Sequence, residues 1–81
     1  MMNNEELKEF RLMLDLSSKE AADLTYLTRQ QIFNVENGKS NKKSTMYLME
    51  LCYKKYLEDN KNEVKERINK RNNLYSRLEE S

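Results

Sequence analysis

Apolar residues recur along this chain at helical spacing, and no stretch shows the alternation that a half-buried strand needs. Leu7, Phe10 and Leu14 fall at i, i+3 and i+7, and Asn3-Asn4 offers a cap ahead of Glu5 and Glu6, so a first helix is predicted over Asn4 to Leu14. In Ser17-Ser18-Lys19-Glu20 a serine three residues before a glutamate forms a capping box, each side chain satisfying an orphan backbone N–H. A short second helix starts there and ends near Thr25. Thr28-Arg29-Gln30-Gln31 repeats the device with Gln as the returning side chain, and Ile32 and Val35 supply the core face of a third helix that runs to Glu36. Asn37-Gly38 is its stop signal. A polar connection spans Lys39 to Lys43, after which Ser44 caps a fourth helix with Leu48, Leu51 and Cys52 turned inward.

Past Leu57 the pattern thins. Glu58 to Asn62 is a weak break, and a highly charged helical stretch follows to about Glu80. Val64, Ile68, Tyr75 and Leu78 lie on one seam of that helix, with Arg71 at the seam position between Ile68 and Tyr75. A lone helix of this kind is marginal in water, so the seam is expected to pack on a partner, with pairing to a second copy as the leading expectation. Packing back on its own domain and disorder stay open as alternatives. The chain therefore divides into a helical domain over 1–57 and a C-terminal helical extension over 58–81.

Composition narrows the chemistry. With 81 residues, 37% apolar and 36% charged, the chain has material for one small domain with a thin core. The absence of Pro and the single Gly remove most turn punctuation and support an all-α reading. Without His and with Cys52 as the sole cysteine, His-based acid/base catalysis, zinc-finger spacings and a disulfide framework are excluded. A lone thiol suits a reducing cytoplasm, and in a core position it is a small apolar residue rather than a redox switch. No enzyme, cofactor, metal or small-molecule ligand is expected. No apolar run reaches the ~20 residues of a membrane span, and Met1 to Phe10 is too acidic and polar for a secretory leader. Net charge is only +1, but from Arg29 to Lys43 the cations Arg29, Lys39, Lys42 and Lys43 face Glu36 alone, so the local balance favours a polyanion.

The runs Leu16-Ser17-Ser18-Lys19-Glu20-Ala21-Ala22-Asp23, Leu27-Thr28-Arg29-Gln30-Gln31-Ile32 and Val35-Glu36-Asn37-Gly38-Lys39 resemble the Cro and lambdoid-repressor type of helix-turn-helix DNA-binding protein, the Xre family. The resemblance covers about Leu7 to Leu57 and includes Arg11, where the family has an arginine in helix one. It implies a lambda-repressor-like bundle of four helices, with the charged C-terminal helix added. It also implies that the third helix lies in the major groove of double-stranded DNA, with Arg29, Gln30 and Asn34 at base-reading positions and Phe33 on the same outer face. Ser17 and Ser18 at the start of helix two, and Asn37, Lys39, Ser40, Lys42 and Lys43 after helix three, match phosphate-binding positions. Arg11 and Glu36 match a structural ion pair joining helix one to the end of the recognition helix.

Two departures affect packing. Tyr26 stands where the family's turn commonly has a left-handed Gly, and Ala21 and Thr25 replace larger aliphatics while Leu24 replaces a polar residue. Helix two is then expected either to shift or to fill the gap with Leu24 and Tyr26. The resemblance implies a sequence-specific transcription regulator, a repressor of the phage or mobile-element kind, binding a pseudo-palindromic operator as a homodimer. The alternative is a protein-interaction module, an antirepressor or inhibitor, that keeps the scaffold and docks another protein.

Overall fold

In the computed structural model, backbone is described for residues 1–80 and side chains for residues 1–72. Five helices follow one another: α1 (Asn4–Met13), α2 (Ser18–Thr25), α3 (Arg29–Glu36), α4 (Lys43–Asp59) and α5 (Lys61–Glu80). No strand occurs among the described residues, and the all-α expectation holds.

The first three helix starts are set locally. Asn3, Ser17 and Thr28 each accept from the backbone N–H three residues on, and Glu6, Glu20 and Gln31 each accept in return from the cap's own N–H. Three complete capping boxes thus fix where α1, α2 and α3 begin, each removing two unsatisfied donors from a short helix. Between α1 and α2 the chain reverses at Asp15 in a left-handed conformation, φ 58°. Between α2 and α3 it reverses at Tyr26, φ 61° and ψ 24°, the conformation in which the family commonly has Gly. α3 ends at Asn37, and Gly38 at φ 72° turns the chain away.

Leu7, Phe10 and Leu14 of the first segment close on Leu16, Ala21, Ala22, Ile32, Val35, Met46, Met49 and Tyr53. Thr25 is fully buried and donates its hydroxyl proton to the Ala21 carbonyl at 2.7 Å, so the small residues of α2 sit closed in the core. Leu24 packs against this core from its edge, whereas Tyr26 is 94% exposed and fills nothing.

The inward face of α4 is not the predicted one. Leu48 and Leu51 are exposed and Cys52 is half-buried; Met46, Met49, Glu50 and Tyr53 point inward. Residues 46–53 are apolar on nearly every side, so spacing alone leaves two candidate stripes. What selects between them is an aromatic contact, the ring of Tyr53 meeting that of Phe10 edge-on, centroids 5.8 Å apart at 67°. The one acid on the chosen stripe is satisfied: the Met2 N–H and the Lys54 ammonium both donate to the Glu50 carboxylate, holding its pKa below the ordinary value. Helix four also starts earlier than expected, with Lys42 at the cap position making no side-chain cap bond, so Ser44 lies inside the first turn. It continues past Leu57 to Asp59, and the break before α5 is confined to Asn60.

Helix five folds back. Val64 is 2% exposed within the core, and Ile68 packs against it. Of the residues expected to face a second copy, Val64 is therefore covered by its own chain and Ile68 partly so; Tyr75 and Leu78 lie outside the described side chains. The physical reason is that Val64, the first aliphatic after the Asn60 break, is close enough to the core for its burial to stabilise the fold within one chain.

Candidate nucleic-acid interface

α3 has two faces with different fates. Ile32 and Val35 are fully buried, which leaves Arg29, Gln30 and Phe33 exposed and Asn34 partly so on the opposite side. The polar members of that outer face are ordered relative to each other. Gln30 Nε2 donates to Asn34 Oδ1 at 2.9 Å across one helical turn. This leaves Gln30 Oε1 as a free acceptor and Asn34 Nδ2 as a donor, the complement of the adenine N6/N7 edge. Phe33 is about half exposed, and Lys39 Nζ stands 5.1 Å from its ring centroid, a cation–π contact that draws the lysine back over the outer face of α3.

The far end of α3 is held by a dense set of bonds. Arg11 grips Glu36 with two parallel donors, Nε to Oε2 at 2.7 Å and Nη2 to Oε1 at 2.9 Å, while its Nη1 donates to the Leu16 carbonyl at 2.9 Å. The two side chains are 11% and 6% exposed. The fork to Glu36 raises the Arg11 pKa above its ordinary value, outweighing desolvation. One electrostatic consequence follows: Glu36 is the one carboxylate between Arg29 and Lys43 and it is paired with Arg11, so none within that segment is left to offset Arg29, Lys39, Lys42 and Lys43.

Asn4 is a further brace with no forewarning in the sequence, where it reads as part of a cap. Its Nδ2 donates to the Val35 carbonyl at 2.7 Å and to the Ser40 carbonyl at 3.0 Å. One amide thereby pins the last turn of α3 and the loop that follows to the start of α1. The backbone N–H groups of Lys39 and Ser40 both donate to the Asn34 carbonyl, at 2.8 and 3.1 Å, and Asn37 Nδ2 donates to the Phe33 carbonyl at 2.8 Å. The loop carrying Lys39, Ser40, Lys42 and Lys43 is thus built on the carbonyl end of α3. No local periodicity encodes the Asn4 bonds, since they close a separation of more than thirty residues.

At the start of α2 the Ser17 hydroxyl accepts from the Glu20 N–H, and the hydroxyl proton stays available to a further acceptor. Ser18 is exposed, and the N–H groups of Ser18 and Lys19 have no intrahelical acceptor, leaving donors directed outward at the positive end of the helix. The base-reading face, this helix end and the Lys39–Lys43 loop all belong to the α2–α3 unit and its exit.

No group of acidic, Cys or His side chains suited to a metal ion occurs among the described residues. No helix there is long and apolar enough to cross a membrane. An open hollow of about 510 Å³ lies between α1 and the Glu36–Gly38 exit of α3.

Compared with known proteins, residues 7–49, more than half of the chain, match the family model described as helix-turn-helix. No curated protein and no solved structure matches the chain. The matched span begins at Leu7, takes in Arg11, both helices of the α2–α3 unit and the whole Lys39–Lys43 loop, and ends at Met49 in α4. It therefore contains nearly every residue of the interface, and the chain belongs to the Xre and lambda-repressor type of the helix-turn-helix family, a family of DNA-binding regulatory domains.

Proposed function

We propose that this protein is a sequence-specific transcription regulator, a repressor of the phage or mobile-element kind, that occupies a pseudo-palindromic operator as a homodimer. α3 enters the major groove. The Arg29 guanidinium forks onto guanine, the Gln30–Asn34 pair reads adenine, and Phe33 rests on a thymine methyl, each good base contact giving about 1–3 kcal/mol of discrimination. Ser17, Ser18, Asn37, Lys39, Ser40, Lys42 and Lys43 hold phosphates and so set register without reading sequence. Two such modules about 34 Å apart meet successive major grooves on one face of the duplex, and occupancy excludes polymerase. No catalytic step or ligand enters.

The observation that carries the reading is the division of α3 itself: aliphatics fully buried, reading side chains outward, and its one carboxylate tied off by Arg11. Pairing is supported by Tyr47, Leu48 and Leu51, which give the outer side of α4 an exposed apolar stretch for a second copy to cover. The test is enrichment from a random duplex library followed by band shifts. A two-fold-related consensus is expected. Replacing Arg29, Gln30 and Asn34 together by Ala reduces preference for that consensus at least tenfold while leaving weak binding to unrelated duplex; unchanged preference in the triple variant contradicts the proposal.

The exposed Tyr26, together with the same α4 stretch, favours a second reading, a scaffold that docks another protein. Complex formation that is indifferent to loss of Lys39, Lys42 and Lys43 is its distinguishing sign.

A further inference from the structure

The burial of Val64 and Ile68 fixes the rotation of α5 about its axis. It brings Arg67 and Arg71, one helical turn apart, against the corner where α1 passes into α2. Arg71 Nη1 donates to the Leu12 carbonyl at 3.1 Å. Arg67 Nη2 donates to Glu63 Oε1 at 3.0 Å, and its Nη1 stands 3.9 Å from Glu20 Oε2. Glu20 belongs to the first turn of α2, two residues beyond Ser18. Lys70 lies beside both arginines on the helix surface, is exposed, and forms no ion pair among the described residues.

Charge along this part of α5 is one-sided. From Lys61 to Asn72 five cations meet two carboxylates, against a balance of 15 to 14 over the whole chain. Glu63 and Arg67 pair with each other, which leaves Lys61, Lys65, Lys70 and Arg71 against Glu66. The contact of Arg67 with Glu20 is long and only partly shielded from water, so a competing anion displaces it at little cost. These cations stand next to a helix end whose outward N–H groups are already the proposed seat of a phosphate. Spread along a helix with no large exposed apolar residue among them, they suit a regularly charged polyanion better than a protein surface, which needs a desolvated apolar anchor.

We propose that Arg67, Lys70 and Arg71 form a second contact to the DNA phosphate backbone, continuing outward from the start of α2 past the bases that α3 reads. This rests on the DNA-binding reading above. It gives α5 a role in affinity that is independent of sequence and of dimerisation.

The test is a salt titration of the full chain on a mixed-sequence duplex, followed by fluorescence anisotropy, with thermal melts to verify folding. Each phosphate contact contributes about 0.9 to the slope of log Kobs against log salt. K70Q, which breaks no internal bond, is expected to flatten the slope by about 0.9, and R67Q/K70Q/R71Q by about two to three times that. K61Q makes the same charge change nine residues nearer the helix start, about 13 Å along the axis, and leaves the slope unchanged. Wild-type slopes in K70Q and the triple variant overturn the inference, as does an equal change in K61Q, which reports net charge rather than placement. Failure of the wild-type chain to bind duplex at low salt removes the DNA-binding reading, and this inference falls with it; binding that fails only in the α5 variants supports the inference.

Discussion

Arg11 joins three parts of the molecule through one planar group. Its fork takes both oxygens of Glu36 at the end of the recognition helix, its remaining nitrogen takes the Leu16 carbonyl in the α1–α2 corner, and its stem rises from α1. Lysine cannot reproduce this, because an ammonium is a point charge and lacks the matched pair of donors. Both partners are largely removed from water, so deleting one strands the charge of the other. Arg11→Met and Glu36→Leu are each expected to cost about 3 kcal/mol in chemical denaturation, and the double variant much less than their sum, since it leaves no orphan. Strict additivity of the two single changes is the result that contradicts a mutually dependent buried pair.

At the scale of the element, α4 begins badly by the rules that govern the other helices. Lys42 occupies the cap, offers no acceptor to the exposed N–H groups, and with Lys43 places two positive charges at the positive end of the helix dipole. The three preceding helices have complete capping boxes, so this start is locally unfavourable in a chain that otherwise caps well. An anion bound there relieves the strain, consistent with the proposed phosphate role of both lysines. Lys42→Asp separates stability from binding: a thermal melt is expected to show a gain of about 1 kcal/mol from the new cap. In the same variant, salt-dependent binding to duplex weakens and its slope flattens by about 0.9. A stability gain with an unaltered slope removes Lys42 from the phosphate contacts.

Capped helix starts are legible in the sequence because they are local. A capping box is a relation between residues three apart, so the starts of α2 and α3 could be placed from Ser17 and Thr28, that of α1 from the spacing of Leu7, Phe10 and Leu14 behind the Asn3-Asn4 cap, and the buried side of α3 from Ile32 and Val35. The rotation of α4 was not legible. It is decided by the Phe10–Tyr53 contact across more than forty residues, in a segment where leucines and methionines compete on equal terms. The reach of Asn4 to Val35 and Ser40 was hidden for the same reason, as was the docking of Arg71 on the Leu12 carbonyl.

For the whole molecule, the consequence of α5 folding back is that part of the core of the 1–57 segment is supplied from beyond it. Val64 is 2% exposed and belongs to the same buried cluster as Leu7, Phe10 and Tyr53. In a chain whose apolar fraction is only 37%, the core has little to spare. Ending the chain after Leu57 removes Val64 and Ile68 along with the last two residues of α4, and uncovers the core they cover. Such a truncation is expected to lose cooperative unfolding, so lost DNA binding would say nothing about dimerisation. Val64→Ala in the full chain isolates the packing effect, with an expected loss of roughly 2 kcal/mol and no change of oligomeric state. Leu51→Glu does the converse: the side chain is about half exposed, so the fold tolerates a carboxylate, while an apolar α4–α4 contact does not. Light scattering is expected to find the Leu51→Glu chain monomeric with a wild-type melting temperature, and its affinity for a two-fold operator reduced to that of a single module. A dimer that survives Leu51→Glu moves the pairing surface away from α4.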